Sequence, residues 1–201
     1  MGLLLAALLG YVIGSVPFAL VIGKLFYDTD VRQHGSGNLG GTNTGRVLGK
    51  KAGFAVMTLD LLKVTLVVYL TMRFFRDPYA LALSGISAAV GHCYPLPAGF
   101  RGGKAVAGLY GFLFGLWICA GYSAAVFFLP LGVFVTVLSL FKIVSLSSVL
   151  SSLFAAIYIG MLHVPNSVKT AVAVFAVLIV LRHHENMVRI LHGTESKISW
   201  L

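Results

Sequence analysis

Acidic residues are scarce in this chain. Of 201 residues six are Asp or Glu, against fifteen Lys or Arg, and none lies between Asp77 and Glu185. Two-metal phosphatases and CDP-alcohol transferases hold their ions with clustered carboxylates, which the loops here cannot supply. Neither a His-x4-Asp pair nor a GxSxG nucleophile elbow occurs. Cysteine is nearly absent: Cys93 and Cys119 have no CxxC spacing, so neither a disulfide nor a zinc site is expected. His92 and His183 have no carboxylate companion nearby except Glu185, and no metal or cofactor is expected.

Charge of either sign is also rare. Only 10% of residues are charged and 58% are hydrophobic, with a mean hydropathy of +0.94. A soluble protein of this size needs far more polar surface, so the class is integral membrane. The net charge of +9 suits anionic headgroups or anionic substrates. Nucleic acid is not an expected partner, because apolar segments interrupt the basic residues. The first cation, Lys24, lies at the far end of the first apolar segment. A secretory signal has the opposite polarity, so that segment reads as a retained span.

A crossing takes about 20 apolar residues. Seven segments qualify, at roughly 3–25, 52–72, 79–97, 105–121, 122–141, 147–163 and 168–187. The apolar run 105–141 is too long for one crossing, and Gly121 and Pro130 mark where it breaks or kinks. The expected fold is an all-α membrane bundle of about seven helices, one domain over 1–201. With the N-terminus outside, the outer side holds only Arg73, Arg76 and Lys169, while the other loop and tail cations lie inside. That positive-inside pattern predicts a cytoplasmic C-terminus and puts the polar motifs on the cytoplasmic face of the plasma membrane.

The strongest motif is the polar run 34–51 (HGSGNLGGTNTGRVLGKK), which contains no carboxylate. Its Gly-x-Gly-x-x-Gly follows a membrane helix rather than a strand, which rules out a dinucleotide fingerprint. Gly40 to Val47 misses a P-loop, having Arg46 for the lysine and Val47 for the metal-holding hydroxyl. Generic phosphate chemistry remains. Backbone N–H groups around Gly37 and Gly40, the hydroxyls of Ser36 and Thr42, the amides of Asn38 and Asn43, and Arg46 can ring a phosphate.

A second run, 91–104 (GHCYPLPAGFRGGK), brings Gly102, Gly103 and Lys104 to the start of the next span. A helix N-terminus attracts anions, and Lys104 adds a full charge there. Lys142, Ser145 and Ser148 form a short polar insertion whose serines can cap the following helix or face a substrate. Arg182, His183 and Asn186 end the last apolar segment, with Arg182 and Asn186 expected on one helical face. Asp60 and Lys63 are a costly ion pair inside the second span, expected to support the site structurally.

Taken in order, SGNLGGTN (36–43), GHCYP…FRGGKAVA (91–107), KIVSLSS (142–148) and RHHENMVRILHGTE (182–195) resemble the acyl-phosphate:glycerol-3-phosphate acyltransferase family of bacterial membranes. The resemblance spans nearly the whole chain. It implies a seven-span enzyme that moves a fatty acyl group from acyl phosphate to the 1-hydroxyl of sn-glycerol 3-phosphate, giving lysophosphatidate and inorganic phosphate. Its motif positions fall on Ser36, Gly37, Asn38, Gly40, Thr42, Asn43 and Arg46; on Gly91, His92, Pro95, Phe100, Gly102, Gly103 and Lys104; on Ser145 and Ser148; and on Arg182, His183, Asn186, Gly193, Thr194 and Glu195. Ser36, Asn38, Lys104 and His183 are the candidate catalytic residues. Gly37, Gly40, Thr42, Asn43, Arg46, Gly102, Gly103, Lys142, Ser145, Ser148, Arg182 and Asn186 are the candidate phosphate-binding ones.

The pattern of the family usually continues Gly-Lys-Gly-Val-Ala-Thr after the second motif, so Ala105 and Gly108 depart from it, as does Ser147 in the third. Expected partners are acyl phosphate, glycerol 3-phosphate, membrane lipids and a soluble enzyme that makes acyl phosphate. A transporter for phosphorylated or other anionic solutes is the alternative from a different class.

Overall fold

A computed structural model of the chain describes residues 1–198. Among these residues regular structure is entirely helical. The first apolar segment, expected as one span, forms two helices, α1 (Gly2–Gly14) and α2 (Phe18–Tyr27). Pro17, which has no N–H to donate, precedes α2 and breaks the segment. The polar run 34–51 contains a short helix, α3 (Gly41–Leu48), preceded by a 3-10 turn at Val31–Gln33. The long α4 (Lys50–Phe74) follows at once. Beyond it come α5 (Pro78–Cys93), a 3-10 turn at Leu96–Ala98, α6 (Val106–Ile118), α7 (Ala125–Phe141), α8 (Val144–Met161), α9 (Asn166–Arg182) and α10 (His184–Leu191).

Two further boundaries differ from the sequence-based expectation, each for a local reason. The third segment stops at Cys93 instead of 97, because Pro95 and Pro97 cannot extend a helix and form the 3-10 turn. The run 105–141 parts around Gly121 as expected, where a φ of +76° suits glycine, while Pro130 stays inside α7. The last segment ends at Arg182, not 187. There the His183 ring nitrogen Nδ1 bonds the Ile179 carbonyl at 2.8 Å, and α9 and α10 meet at 54°. Arg182 and Asn186, expected on one helical face, therefore belong to different helices.

Three stretches are long and apolar enough to cross a membrane among the described residues: Gly2–Tyr27, Lys50–Phe74 and Val144–Met161. The bent pair α9–α10 makes a fourth if counted as one span, and α6 and α7 are apolar but shorter.

Close packing rests on small residues. A Cβ on Gly14 of α1 would lie 2.6 Å from the Ala88 Cα of α5, and one on Gly115 of α6 would lie 2.6 Å from the Val68 Cβ of α4. In lipid no hydrophobic force drives helices together, so backbone approach and van der Waals contact must do so. The core joins Val64 and Val68 of α4, Leu109 and Phe112 of α6, and Phe175 and Ile179 of α9, with the Phe112 and Phe175 rings 5.5 Å apart. The bundle has two unlike ends. At one, Gly2 lies beside Phe75 and Ser167 donates to the Pro78 carbonyl at 3.0 Å. At the other gather residues 28–50, 94–105, 142–143 and 183–198, which hold every glycine-rich motif.

Candidate active site

The first polar segment is folded by one amide. Asn43, 2% exposed, donates through Nδ2 to the Val31 and His34 carbonyls at 3.0 and 3.2 Å, and its Oδ1 accepts the Ser36 N–H at 2.8 Å. Gly35 and Gly37, with φ of +59° and +67°, permit the tight turn this requires. The side chain of Asn43 is thus spent on the loop itself. Ser36 is exposed. Gly40 caps α3, Thr42 lies in its first turn, and Arg46 projects exposed from its last. The free N–H groups of that first turn make an anion-attracting end.

The second segment is clasped on both sides. The Gly102 and Gly103 N–H groups donate to the Cys93 and His92 carbonyls at 3.1 and 3.0 Å, so neither is free for a ligand. Their own carbonyls accept from Arg182, at 3.4 Å from Nη2 and 3.2 Å from Nε, and its guanidinium stacks over the Tyr94 ring at 5.4 Å. Ala105 caps α6 with a φ of +61°, the left-handed conformation that glycine would adopt without strain.

Two contacts join the segments. Asn38 Nδ2 donates to the Gly102 carbonyl at 3.5 Å, and Arg32, paired with Asp30 at 2.6 Å, donates to the Ala98 carbonyl at 3.3 Å. Asn38 lies just before α3 and Gly102 just before α6, so two helix N-termini open beside one hydrogen bond.

Lys104 extends from this junction to Asn186 Oδ1 on α10. The Asn186 amide in turn donates to Glu195 Oε1 at 2.6 Å, which also accepts from the Ser145 hydroxyl at 2.7 Å, while Arg189 Nε holds Oε2 at 2.8 Å. Burial alone would raise the Glu195 pKa, but these three donors outweigh it and hold the carboxyl below its usual range. Burial lowers Lys104 to about 8, with Arg189 and Arg182 adding to the effect and Glu195 and Glu185 opposing it. His183 is held down to about 4, chiefly by burial. With Nδ1 donating to Ile179, its Nε2 carries a lone pair throughout the neutral range. Ser148 donates to the Val144 carbonyl at 2.8 Å, and Lys142, in the left-handed region at φ +59°, accepts the Ile198 N–H on its carbonyl at 2.8 Å.

Glu195 and Arg189 link the candidate residues Ser145, Asn186 and Lys104 into one network without having been candidate site residues themselves. Glu195 was a motif position of the family resemblance with no role attached, and nothing local marks Arg189 as its partner.

A family model for glycerol-3-phosphate acyltransferase matches residues 4–193. The chain belongs to that family. The glycerol-3-phosphate acyltransferase of Geobacillus kaustophilus (strain HTA426) is 46% identical, covering 98% of this chain and 96% of its own. That of Listeria monocytogenes serovar 1/2a is 45% identical, covering 99% and 98%. Among solved structures, the glycerol 3-phosphate form of PlsY (YgiH), an integral membrane glycerol 3-phosphate acyltransferase, superposes with a TM-score of 0.90 at 34% identity, covering 99% of this chain and 96% of that one. Its lysophosphatidic acid form gives 0.88 at 33%. This family member is accordingly an all-helical, multi-pass integral membrane protein.

Proposed function

We propose that this protein acylates the 1-hydroxyl of sn-glycerol 3-phosphate from acyl phosphate, releasing lysophosphatidic acid and inorganic phosphate. The observation that carries the reading is the Asn38–Gly102 contact, which sets the two glycine-rich segments and two helix N-termini side by side. Each phosphomonoester carries roughly −1.5 to −2, so two of them bring about −3 to −4 into one pocket. Arg46, Lys104, Arg182 and Lys142 are the cations available to offset it. The first segment, with Ser36, Asn38, Thr42 and Arg46, cradles acyl phosphate. Lys104 and Asn186 hold glycerol 3-phosphate, with Arg182 shaping the turn between them. The acyl chain lies among the helices.

Acyl phosphate arrives activated, because phosphate leaves readily. The protein need only align the hydroxyl, stabilise the oxyanion and neutralise the departing charge. A base is needed for the hydroxyl proton. An imidazole held to about 4 is a weaker base than a substrate phosphate, whose second pKa is near 6. The phosphate therefore accepts the proton of the 1-hydroxyl, and His183 Nε2, an acceptor only, holds the neighbouring 2-hydroxyl of glycerol 3-phosphate.

Seven crossings, made by α1–α2 and by α4 to α9, put the N-terminus outside and the site on the cytoplasmic side of the plasma membrane, as the cation asymmetry supports. A single domain carries the reaction, and a soluble enzyme that makes acyl phosphate supplies the donor. The test is purified protein given each substrate alone and both together. Phosphate release that requires both is expected. Absence of release, with glycerol 3-phosphate instead entering sealed vesicles, would establish a transporter.

A further inference from the structure

Asp60 and Lys63 of α4 are 2% and 5% exposed in a membrane-spanning helix, where unpaired charge is costly. Their partners reach well beyond each other. Lys63 Nζ donates to Asp60 Oδ1 at 2.7 Å and to the Val16 carbonyl at 2.8 Å, and lies 5.7 Å from the Phe18 ring centroid. Val16 sits in the break between α1 and α2. There Leu20 N–H turns to Pro17 at 2.9 Å, so Val16 loses its helical donor and Lys63 replaces it. Asp60 Oδ1 meanwhile faces His92 Nδ1 at 3.7 Å.

His92 is the floor of the second glycine-rich turn. Its carbonyl accepts the Gly103 N–H at 3.0 Å. Its ring lies directly under Gly103, where a Cβ would be 2.7 Å from Cε1 and closer still to Nε2. Arg182 closes the turn from the other side through the Gly102 and Gly103 carbonyls. The connection runs from the α1–α2 break through Lys63 and Asp60, across the 3.7 Å approach to His92, and on through Gly103 to Lys104.

We propose that Asp60, Lys63 and His92 form a buried clamp that positions the Gly102–Gly103 turn, so that Lys104 meets the substrate phosphate in register. They are positioning residues, touching no substrate. The proposal rests on the reading above that Lys104 binds glycerol 3-phosphate. A simpler role, in which the two charges only neutralise each other, predicts that removing both is harmless. The clamp predicts otherwise, because Lys63 bonds both the Val16 carbonyl and Asp60 and so fixes the carboxylate against the His92 ring.

The experiment compares wild type with Asp60→Asn/Lys63→Met, which removes both charges at similar volume, and with His92→Phe, which keeps a ring beneath Gly103 but severs the link to Asp60. In both variants the KM for glycerol 3-phosphate rises at least about tenfold, as expected for a displaced charge of about an ångström. The alkaline limb of kcat/KM also moves up from about 8 as Lys104 becomes better solvated. Arg182 on α9, Glu185 and Arg189 on α10 and Glu195 in the tail, the charges facing Lys104, are unchanged in both. A wild-type KM or an unmoved limb in the double variant overturns the proposal. If that variant does not fold, His92→Phe decides by the same two readings. Lys104→Met separates the underlying assumption: a glycerol 3-phosphate KM untouched by it overturns the phosphate reading and the clamp together. A KM raised in Lys104→Met but normal in the other variants overturns the clamp alone.

Discussion

Raising the pH removes the charge of Lys104 well before that of an ordinary lysine. Burial at the junction of α6 and α10 brings it to about 8, Arg189 and Arg182 repel its proton, and Glu195 and Glu185 only partly compensate. At that value about nine-tenths of the molecules carry the ammonium at neutral pH, and each unit above it cuts the charged fraction about tenfold. Function that needs the cation is therefore present below about 8 and lost above it. kcat/KM for glycerol 3-phosphate, followed by phosphate release, should fall about tenfold per pH unit on the alkaline side. A solvated lysine would hold its charge to about 10.4. The limb in kcat should lie higher than in kcat/KM, because a bound phosphate dianion stabilises the ammonium. Lys104→Arg isolates the cause. Its guanidinium stays charged past about 12, so the limb disappears, although the plateau drops because a planar fork does not replace a point charge against Asn186. An alkaline limb equally present in Lys104→Arg refutes this account.

Three further outcomes follow from the same geometry. Gly103→Ala drives a methyl into the His92 ring and breaks the Gly103–His92 bond, a cost of about 2–3 kcal/mol that raises the glycerol 3-phosphate KM by up to roughly 30- to 150-fold; Gly160→Ala, whose Cβ meets open space, is the control, and equal KM values in the two variants refute this expectation. Ala105→Gly relieves a φ of +61° at the α6 cap, offset by loss of a buried methyl and by greater unfolded-chain entropy, and should leave the melting temperature within about 2 °C of wild type; a fall of more than about 4 °C refutes strain relief at that cap. His183→Gln should lower kcat while leaving an acid limb near 6 that belongs to the substrate phosphate, and loss of that limb would move the proton acceptor to the imidazole.

Composition and hydropathy are sums over near neighbours, and what depends on such sums was legible in the residues alone. The membrane class, the helical content, the glycine-rich polar runs and the family resemblance all belong here. The Asp60–Lys63 pair was visible too, since an i, i+3 spacing is a local fact. Boundaries were less so: the stop at Cys93 and the bend at His183 depend on prolines forming a 3-10 turn and on a ring competing for its own helix. Tertiary structure alone decided which donors are spent and which remain. The Asn43 amide looked like a phosphate ligand and is consumed in building its loop, while the Gly102 and Gly103 N–H groups are consumed by α5. Asn38 finds Gly102 across 64 residues of sequence, and Lys104 finds Asn186 across 82. A hydrogen bond is directional and short, so its partner is set by how the helices pack, which no window along the chain contains.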